Sequence, residues 1–322
     1  GTEDVTDDGS TDGTEDVTED GTEDFTDDGT DDGTDDGSTD GTDDGTDDGT
    51  EDVTDDGSTD GTWEALENFK AETPHHDIHL LKGPQRGVAA NYYKLLKNKG
   101  LGGNWVAFSD QDDVWLPHKL SRAVALVGRL GGRCVYSSRS YYVDQTGRRL
   151  GTSPMLNRPY RFGNAIVQNV LRGNTIVIPP IVTNYLRSIL STTDVAETPF
   201  HDWWMYQAIT GAGFGILHDQ KPGVLYRQHG ANLVGAPVRH LRRRARCMAD
   251  GTLVNWIDAN AAAMYRIAPV LTATAREQLL RFLDWRSQSH TKGRAALTSL
   301  GIYRQTHAGD LALRALAQLK RF

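Results

Sequence analysis

Three carboxylates fall close together in Phe108-Ser-Asp-Gln-Asp-Asp-Val-Trp-Leu-Pro117: Asp110, Asp112 and Asp113. Side by side they repel one another. That is tolerable where they face water or share a divalent cation, and a hard cation held by oxygens while bridging a diphosphate suits the arrangement. Nucleotide-sugar chemistry is the leading reading of this segment. The apolar run Trp105–Phe108 carries a strand up to the cluster, and Pro117 starts a helix after it.

The surrounding elements alternate. The spacing of Trp63, Leu66 and Phe69 predicts a helix over about 62–72, with Ser58, Thr59 or Asp60 as caps. Ile78–Leu81 reads as a strand, Val88–Lys99 as a helix, Asn104–Ser109 as a strand and Pro117–Leu130 as a helix. Arg133–Ser138 and Ser140–Val143 read as two strands, and Gly173–Ile178 as a buried one. Helices follow at Val182–Leu190 and from Pro199 to about Thr210, then strands at Gly215–His218 and Gly223–Gln228. Such alternation predicts an α/β domain with a mostly parallel sheet flanked by helices. Ligands in such sheets sit at the carboxyl ends of strands, where Asp110 to Asp113 fall.

The chain is two materials joined near Thr62. Of its 44 acidic residues, 27 lie in residues 1–62, which contain no Lys or Arg. The remaining 17 acids face 34 bases, so the net charge of −10 combines an anionic tail with a body of formal charge +17. The tail reiterates Asp-Asp-Gly-Thr and its variants, and its only apolar side chains are Val5, Val17, Phe25 and Val53. It cannot bury enough surface to offset chain entropy, so a disordered arm over 1–54 is expected. Asp-rich loops can also supply calcium ligands, although neither the EF-hand spacing nor a nonapeptide repeat is present. Cys134 and Cys247 form no metal-ligand spacing or disulfide framework. No apolar run approaches the ~20 residues of a spanning helix, and no secretory signal opens the chain. The expectation is a cytoplasmic protein, either free or peripheral on the cytoplasmic membrane.

Four motifs recur in one order: Asp-Asp-Gly-Ser-Thr-Asp-Gly-Thr at 55–62, the Asp110–Asp113 segment, His-Asp-Trp-Trp at 201–204, and Tyr-Arg-Gln-His-Gly-Ala-Asn at 226–232. Arg86-Gly-Val-Ala-Ala-Asn91 stands between the first two. Together they resemble the family 2 inverting glycosyltransferases of the GT-A fold, in particular the bacterial rhamnosyltransferase-like enzymes of surface polysaccharide assembly. The resemblance implies a GT-A-like domain over 55–238, lacking the family's opening strand region, which the acidic repeat replaces. A basic helical region over 239–322 would follow.

The resemblance also implies roles. Asp56 would contact the nucleotide base, Asp110 would lie near the ribose and diphosphate, and Asp112 would ligate Mg²⁺ or Mn²⁺. Asp113 would stand near the acceptor or the metal, Arg86 near the donor, and His229 would approach the metal or diphosphate from the far side. Asp202 would be the general base of an inverting transfer, near a helix start that favours its ionised form, with the faces of Trp203 and Trp204 as an apolar platform for sugar. The donor would be a nucleoside-diphosphate sugar and the acceptor a glycan or lipid-linked glycan.

Arg239–Arg246, and a helical face bearing Leu316, Leu319 and Phe322 among Arg314, Lys320 and Arg321, read as attachment to an anionic membrane surface. No aromatic–basic module or zinc pattern supports nucleic-acid binding. The competing readings are a catalytically impaired remnant acting as an interaction module, and an acidic calcium-binding repeat protein.

Overall fold

The computed structural model describes residues 49–228, 247, 250–287 and 297–318. The expectations for residues 1–48 of the acidic arm lie outside the described residues, as do those for His229, Arg239–Arg246, Leu319, Lys320, Arg321 and Phe322.

The chain enters through strand β1 (Thr50–Asp55), which pairs in parallel with β2 (Asp77–Lys82) around helix α1 (Thr62–Glu72). Repeat residues therefore do form a strand leading into the Asp55-Asp56-Gly57 turn, and the expected boundary at 54/55 falls inside it. Val53 has little apolar company along β1, and pairing supplies what side-chain pattern does not: register fixes Val53 opposite Leu80 and Asp55 opposite Lys82. Packing here is thin, since α1 contains no buried residue and Phe69 is exposed.

The main sheet has six strands in the order β3-β7-β5-β8-β4, with β6 on β5. Its members are β3 (Val106–Ala107), β4 (Val114–Trp115), β5 (Cys134–Val143), β6 (Arg149–Thr152), β7 (Val177–Ile178) and β8 (Gly215–Arg227). The expected mostly parallel sheet is instead mixed. β5–β8 is parallel, while β3–β7, β5–β7, β4–β8 and β5–β6 are antiparallel. Three of these strands are only two residues long, and a dipeptide strand carries no sequence signal of direction.

Two pairs of expected strands fuse. Arg133–Ser138 and Ser140–Val143 belong to one strand, β5, and Gly215–His218 and Gly223–Gln228 to one strand, β8. The irregularity that separates them in sequence is a register shift: Ser138 pairs with Asp219, but Ser140 pairs with Val224. The extra residues of β8 bulge there, and local twist increases.

Helix α3 (Lys119–Arg129) covers one face through a small core of Ala123, Val127, Tyr136 and Val177. The larger core lies on the other face. It gathers α2 (Val88–Leu96), the short α4 (Phe162–Ala165), α5 (Pro180–Thr192), α6 (His201–Gly211) and the C-terminal helices α7 (Thr252–Arg266), α8 (Ala273–Ser287) and α9 (His307–Gln318). Pro180 starts α5, where its missing N–H costs nothing. On α9, Leu313 is buried and Leu316 packs against the same core, so Leu316 faces the protein interior and not a membrane. No helix among the described residues is long and apolar enough to cross a membrane.

On the α3 face the Asp219 side chain, 6% exposed, accepts hydrogen bonds from Arg122 (Nη2, 3.0 Å) and the Tyr136 hydroxyl (3.0 Å). Removing the carboxylate strands a cation and a buried phenol. Asp219→Ala should cost about 3 kcal/mol of unfolding free energy. Urea denaturation would show it as a lowered midpoint with an unchanged slope, and a loss well under 1 kcal/mol would contradict this account.

Candidate active site

β3 ends at Ala107, and the chain turns through Asp110–Asp113 into β4. The loop is held by its neighbours. The Tyr92 hydroxyl of α2 donates to Asp110 Oδ1 at 2.5 Å, and Asp113 Oδ1 accepts from the Arg227 backbone N–H at 3.0 Å. Asp113 Oδ2 accepts from the Asn174 side-chain amide, and Arg227 Nε donates to the Asp112 carbonyl at 2.9 Å. Burial pushes Asp113 up to about 6, the repulsion of Asp110 and Asp112 adding to it and two hydrogen bonds opposing. Asp113 is thus a carboxyl taken out of water beside two others.

Asp202 stands in the first turn of α6. Its Oδ2 accepts from the Gly173 N–H at 3.2 Å and its Oδ1 from the Trp203 N–H at 2.8 Å. Burial, outweighing these bonds and one from Asn169, raises it to about 6. Gly173 and Asn174 are consecutive, so a single turn, Gly173–Thr175, ties Asp202 to Asp113. The charges of Asp110, Asp202 and Asp113 all bear on Tyr92. The two acidic elements, ~90 residues apart in sequence, share one locality.

Lys119 fixes that turn. Its side chain is fully buried, and Nζ donates to the Asn174 carbonyl at 2.8 Å and to the Phe108 carbonyl at 3.5 Å. It also lies 3.4 Å from the centre of the Trp115 ring. Burial lowers its pKa to about 6 against the pull of Asp113 and Asp110. The His201 ring stacks on Tyr92 at 3.8 Å, and burial holds it neutral, down to about 4.

Other expected site residues are placed differently. The Asp56 carboxylate accepts from the Gln85 N–H (2.6 Å) and the Gly87 N–H (2.9 Å), shaping the turn before α2. Gly83 must be glycine for that contact, because a Cβ there would lie 2.5 Å from Asp56 Oδ1. Arg86 pairs with Asp194 at 2.9 Å beside a shallow cleft lined by Pro84, Tyr93 and Lys97. Trp203 and Trp204 are 3% and 0% exposed. The Trp203 indole N–H donates to the Ala165 carbonyl, and Trp204 packs edge-on to Tyr93. Both are core and neither offers the expected sugar platform.

Among the described residues no group of three or more His, Cys, Asp or Glu is arranged as a metal site. Mg²⁺ and Mn²⁺ in nucleotide sites are held by one or two carboxylates, waters and the phosphates of a substrate, and the oxygen donors of Asp110, Asp112 and Asp113 are of the type such an ion takes. Sequence reasoning missed Asn174, Lys119, Arg227 and the Gly173 N–H as organisers of the site. Tyr92 was visible only as part of an apolar helix face.

Compared with known proteins, residues 53–193 match the family "Glycosyl transferase family 2". Over 155 residues the chain is 27% identical to the dTDP-rhamnosyl transferase RfbG of Shigella flexneri, a stretch covering 47% of this chain and 53% of that protein. The chain therefore spans about half the length of this curated relative. Among solved structures, the mannosyltransferase PcManGT from Pyrobaculum calidifontis, in complex with GDP-Man and Mn²⁺, aligns over 83% of this chain and 77% of its own. Its sequence identity is 16% and its TM-score 0.42.

Proposed function

We propose that the chain, whose residues 53–193 match the glycosyl transferase family 2 model, transfers a sugar from a nucleoside-diphosphate donor to a glycan or lipid-linked acceptor, with inversion, in the making of a surface polysaccharide. The observation that carries this reading is the Gly173–Asn174 turn. It binds Asp202 through one residue and Asp113 through the next, which supports reading Asp202 as proton acceptor beside a loop that would hold the cation.

Asp112, with Asp110, would hold a divalent cation against the donor's diphosphate, Asp113 bordering it. That ion, when bound, neutralises charge developing on the departing nucleoside diphosphate. The protein's own part is the proton and the geometry. The acceptor oxygen bonds to the anomeric carbon as the carbon–phosphate-oxygen bond breaks, and Asp202 takes the hydroxyl proton. A carboxyl raised to about 6 is suited to that task near neutral pH. Asp56 and Arg86 would border the nucleotide, the first through the turn it shapes. His229 is proposed on its motif alone. A dTDP-linked deoxyhexose is the first donor to test, given the name of the Shigella relative.

The assay is transfer or slow hydrolysis from a panel of nucleotide sugars with Mn²⁺ or Mg²⁺, the product anomer being read by proton NMR. Inverted product is expected, and retained configuration would contradict the role of Asp202. The catalytic rate should fall with acid along a limb near pH 6, because only ionised Asp202 accepts a proton. A rate flat from pH 5 to 8 would remove Asp202 as base.

A second reading, a catalytically weak domain acting in binding, is favoured by the thin packing of β1, α1 and β2. Micromolar nucleotide binding without turnover across the whole panel would favour it.

A further inference from the structure

Beside Asp202, on the face of β5 and β8 opposite Arg122, lies a basic group that the proposed transfer has not used. Arg172 immediately precedes the Gly173 that holds Asp202. Its Nη2 donates to the Tyr142 hydroxyl at 2.6 Å, while its buried Nη1 has no hydrogen-bond partner. His218 on β8 pairs in register with Ser137, and neither of its buried ring nitrogens has a partner. Arg139, in the bulged stretch of β5, donates Nε to the Ser153 carbonyl at 2.7 Å. Among the described residues neither arginine has a carboxylate partner. Hydrogen bonds bring Arg172 to His218: Thr175 Oγ1 donates to the Arg172 carbonyl at 2.9 Å and lies 2.9 Å from Ser137 Oγ, and Ser137 is the register partner of His218, two residues before Arg139 on the same strand. Burial holds His218 neutral, down to about 4, the charges of Arg172 and Arg139 adding to it against a weaker pull from Asp219. That carboxylate is engaged with Arg122 and Tyr136.

Cations gathered without a counter-charge, with orphaned donors facing inward, are costly unless an anion completes them. The group adjoins the acidic loop. The Arg172 guanidinium lies 5.3 Å from the Tyr142 ring and 6.0 Å from the Tyr226 ring, and Tyr226 in turn feels Asp113, Asp110 and Asp112.

We propose that Arg139, Arg172 and His218 form an anion subsite for a phosphoryl group bound next to Asp202. That the anion is a phosphoryl group, and not another, rests on the proposed glycosyl transfer. Its source is either the donor's diphosphate or a phosphate carried by the acceptor. A planar guanidinium and an imidazole are suited to phosphate oxygens.

The test uses the full chain labelled with ¹⁵N-histidine, the His218 ring signals being assigned from their loss in His218→Gln. Inorganic pyrophosphate is titrated in EDTA, so that no cation recruits it to Asp112. A saturable shift of the His218 signals is expected, unchanged in Asp112→Asn and weakened at least tenfold in Arg172→Met or Arg139→Gln. No saturable shift in the wild type overturns the subsite, as does an equal shift in both arginine variants, which would mean an adventitious ion only. Because the titration needs neither metal nor turnover, it can fail while transfer succeeds, or the reverse. Nucleoside diphosphate added with diamagnetic Mg²⁺, in excess of the EDTA, then separates the sources. Displacement of pyrophosphate from His218 identifies the donor's diphosphate, and simultaneous binding identifies an acceptor phosphate.

Discussion

Asp202→Asn should lower the transfer rate by about 10²–10⁴-fold and leave donor binding within about twofold of the wild type. The side chain that changes is the proposed proton acceptor, not part of the acidic loop. An asparagine can still accept one of the two hydrogen bonds from Gly173 and Trp203, so the fold should persist. The pH profile carries the sharper information. The limb near pH 6 should weaken in the residual activity, because Asp202 no longer contributes to it and only Asp113, raised to a similar value, remains. Asp202→Glu, which keeps the carboxyl but moves it, should retain a limb at reduced rate. If Asp202→Asn turned over at the wild-type rate, another group would be the base.

Lys119→Met should separate stability from activity. Methionine fills nearly the same volume without a buried charge, so the fold should be as stable as the wild type at neutral pH or more so. Transfer should fall by about 10²-fold, since the Gly173–Asn174 turn loses the Nζ donor that pins it and small displacements of positioned groups are expensive. The sign of the pH effect follows from the depressed Lys119 pKa. Between about 6 and 10.5 the unfolded chain binds a proton that the folded chain lacks, so this lysine makes stability rise with pH across that window. Asp113 and Asp202 act in the opposite sense lower down. Both are raised to about 6 from 3.8, so they subtract stability as pH rises between those values. Thermal denaturation at pH 6 and pH 9 should show Lys119→Met lacking the wild-type rise above pH 6. An identical pH slope in both proteins would mean that Lys119 is not the buried, charge-costly group described.

The α/β class, the helices and the acidic loop were legible because their signals are local. Helical spacing marks 62–72, and a strand followed by carboxylates and Pro117 marks a site at a strand end. What was not legible is tertiary. β1 forms from repeat residues with one valine because β2 offers a register, and nothing in Thr50–Asp55 alone distinguishes it from the preceding units. The direction of β3, β4 and β7 is set by what they lie beside. The indoles of Trp203 and Trp204 were ambiguous between core and platform, and the packing of α6 against α2 and α4 decided for core. Nothing in the spacing of residues 117–130 marks Lys119 apart from the other positions of its helix. Only the meeting of Phe108, Trp115 and Asn174 around it buries its side chain beside the acidic loop.

On the proposed function, the Asp110–Asp113 loop recruits a nucleoside diphosphate through a cation while Asp202 serves the acceptor. Isothermal titration of dTDP into the full chain, with and without Mn²⁺, tests it in wild type, Asp112→Asn and Asp202→Asn. Binding should need Mn²⁺, weaken at least tenfold in Asp112→Asn and stay near wild type in Asp202→Asn. Metal-independent binding of equal strength in all three proteins would contradict the account.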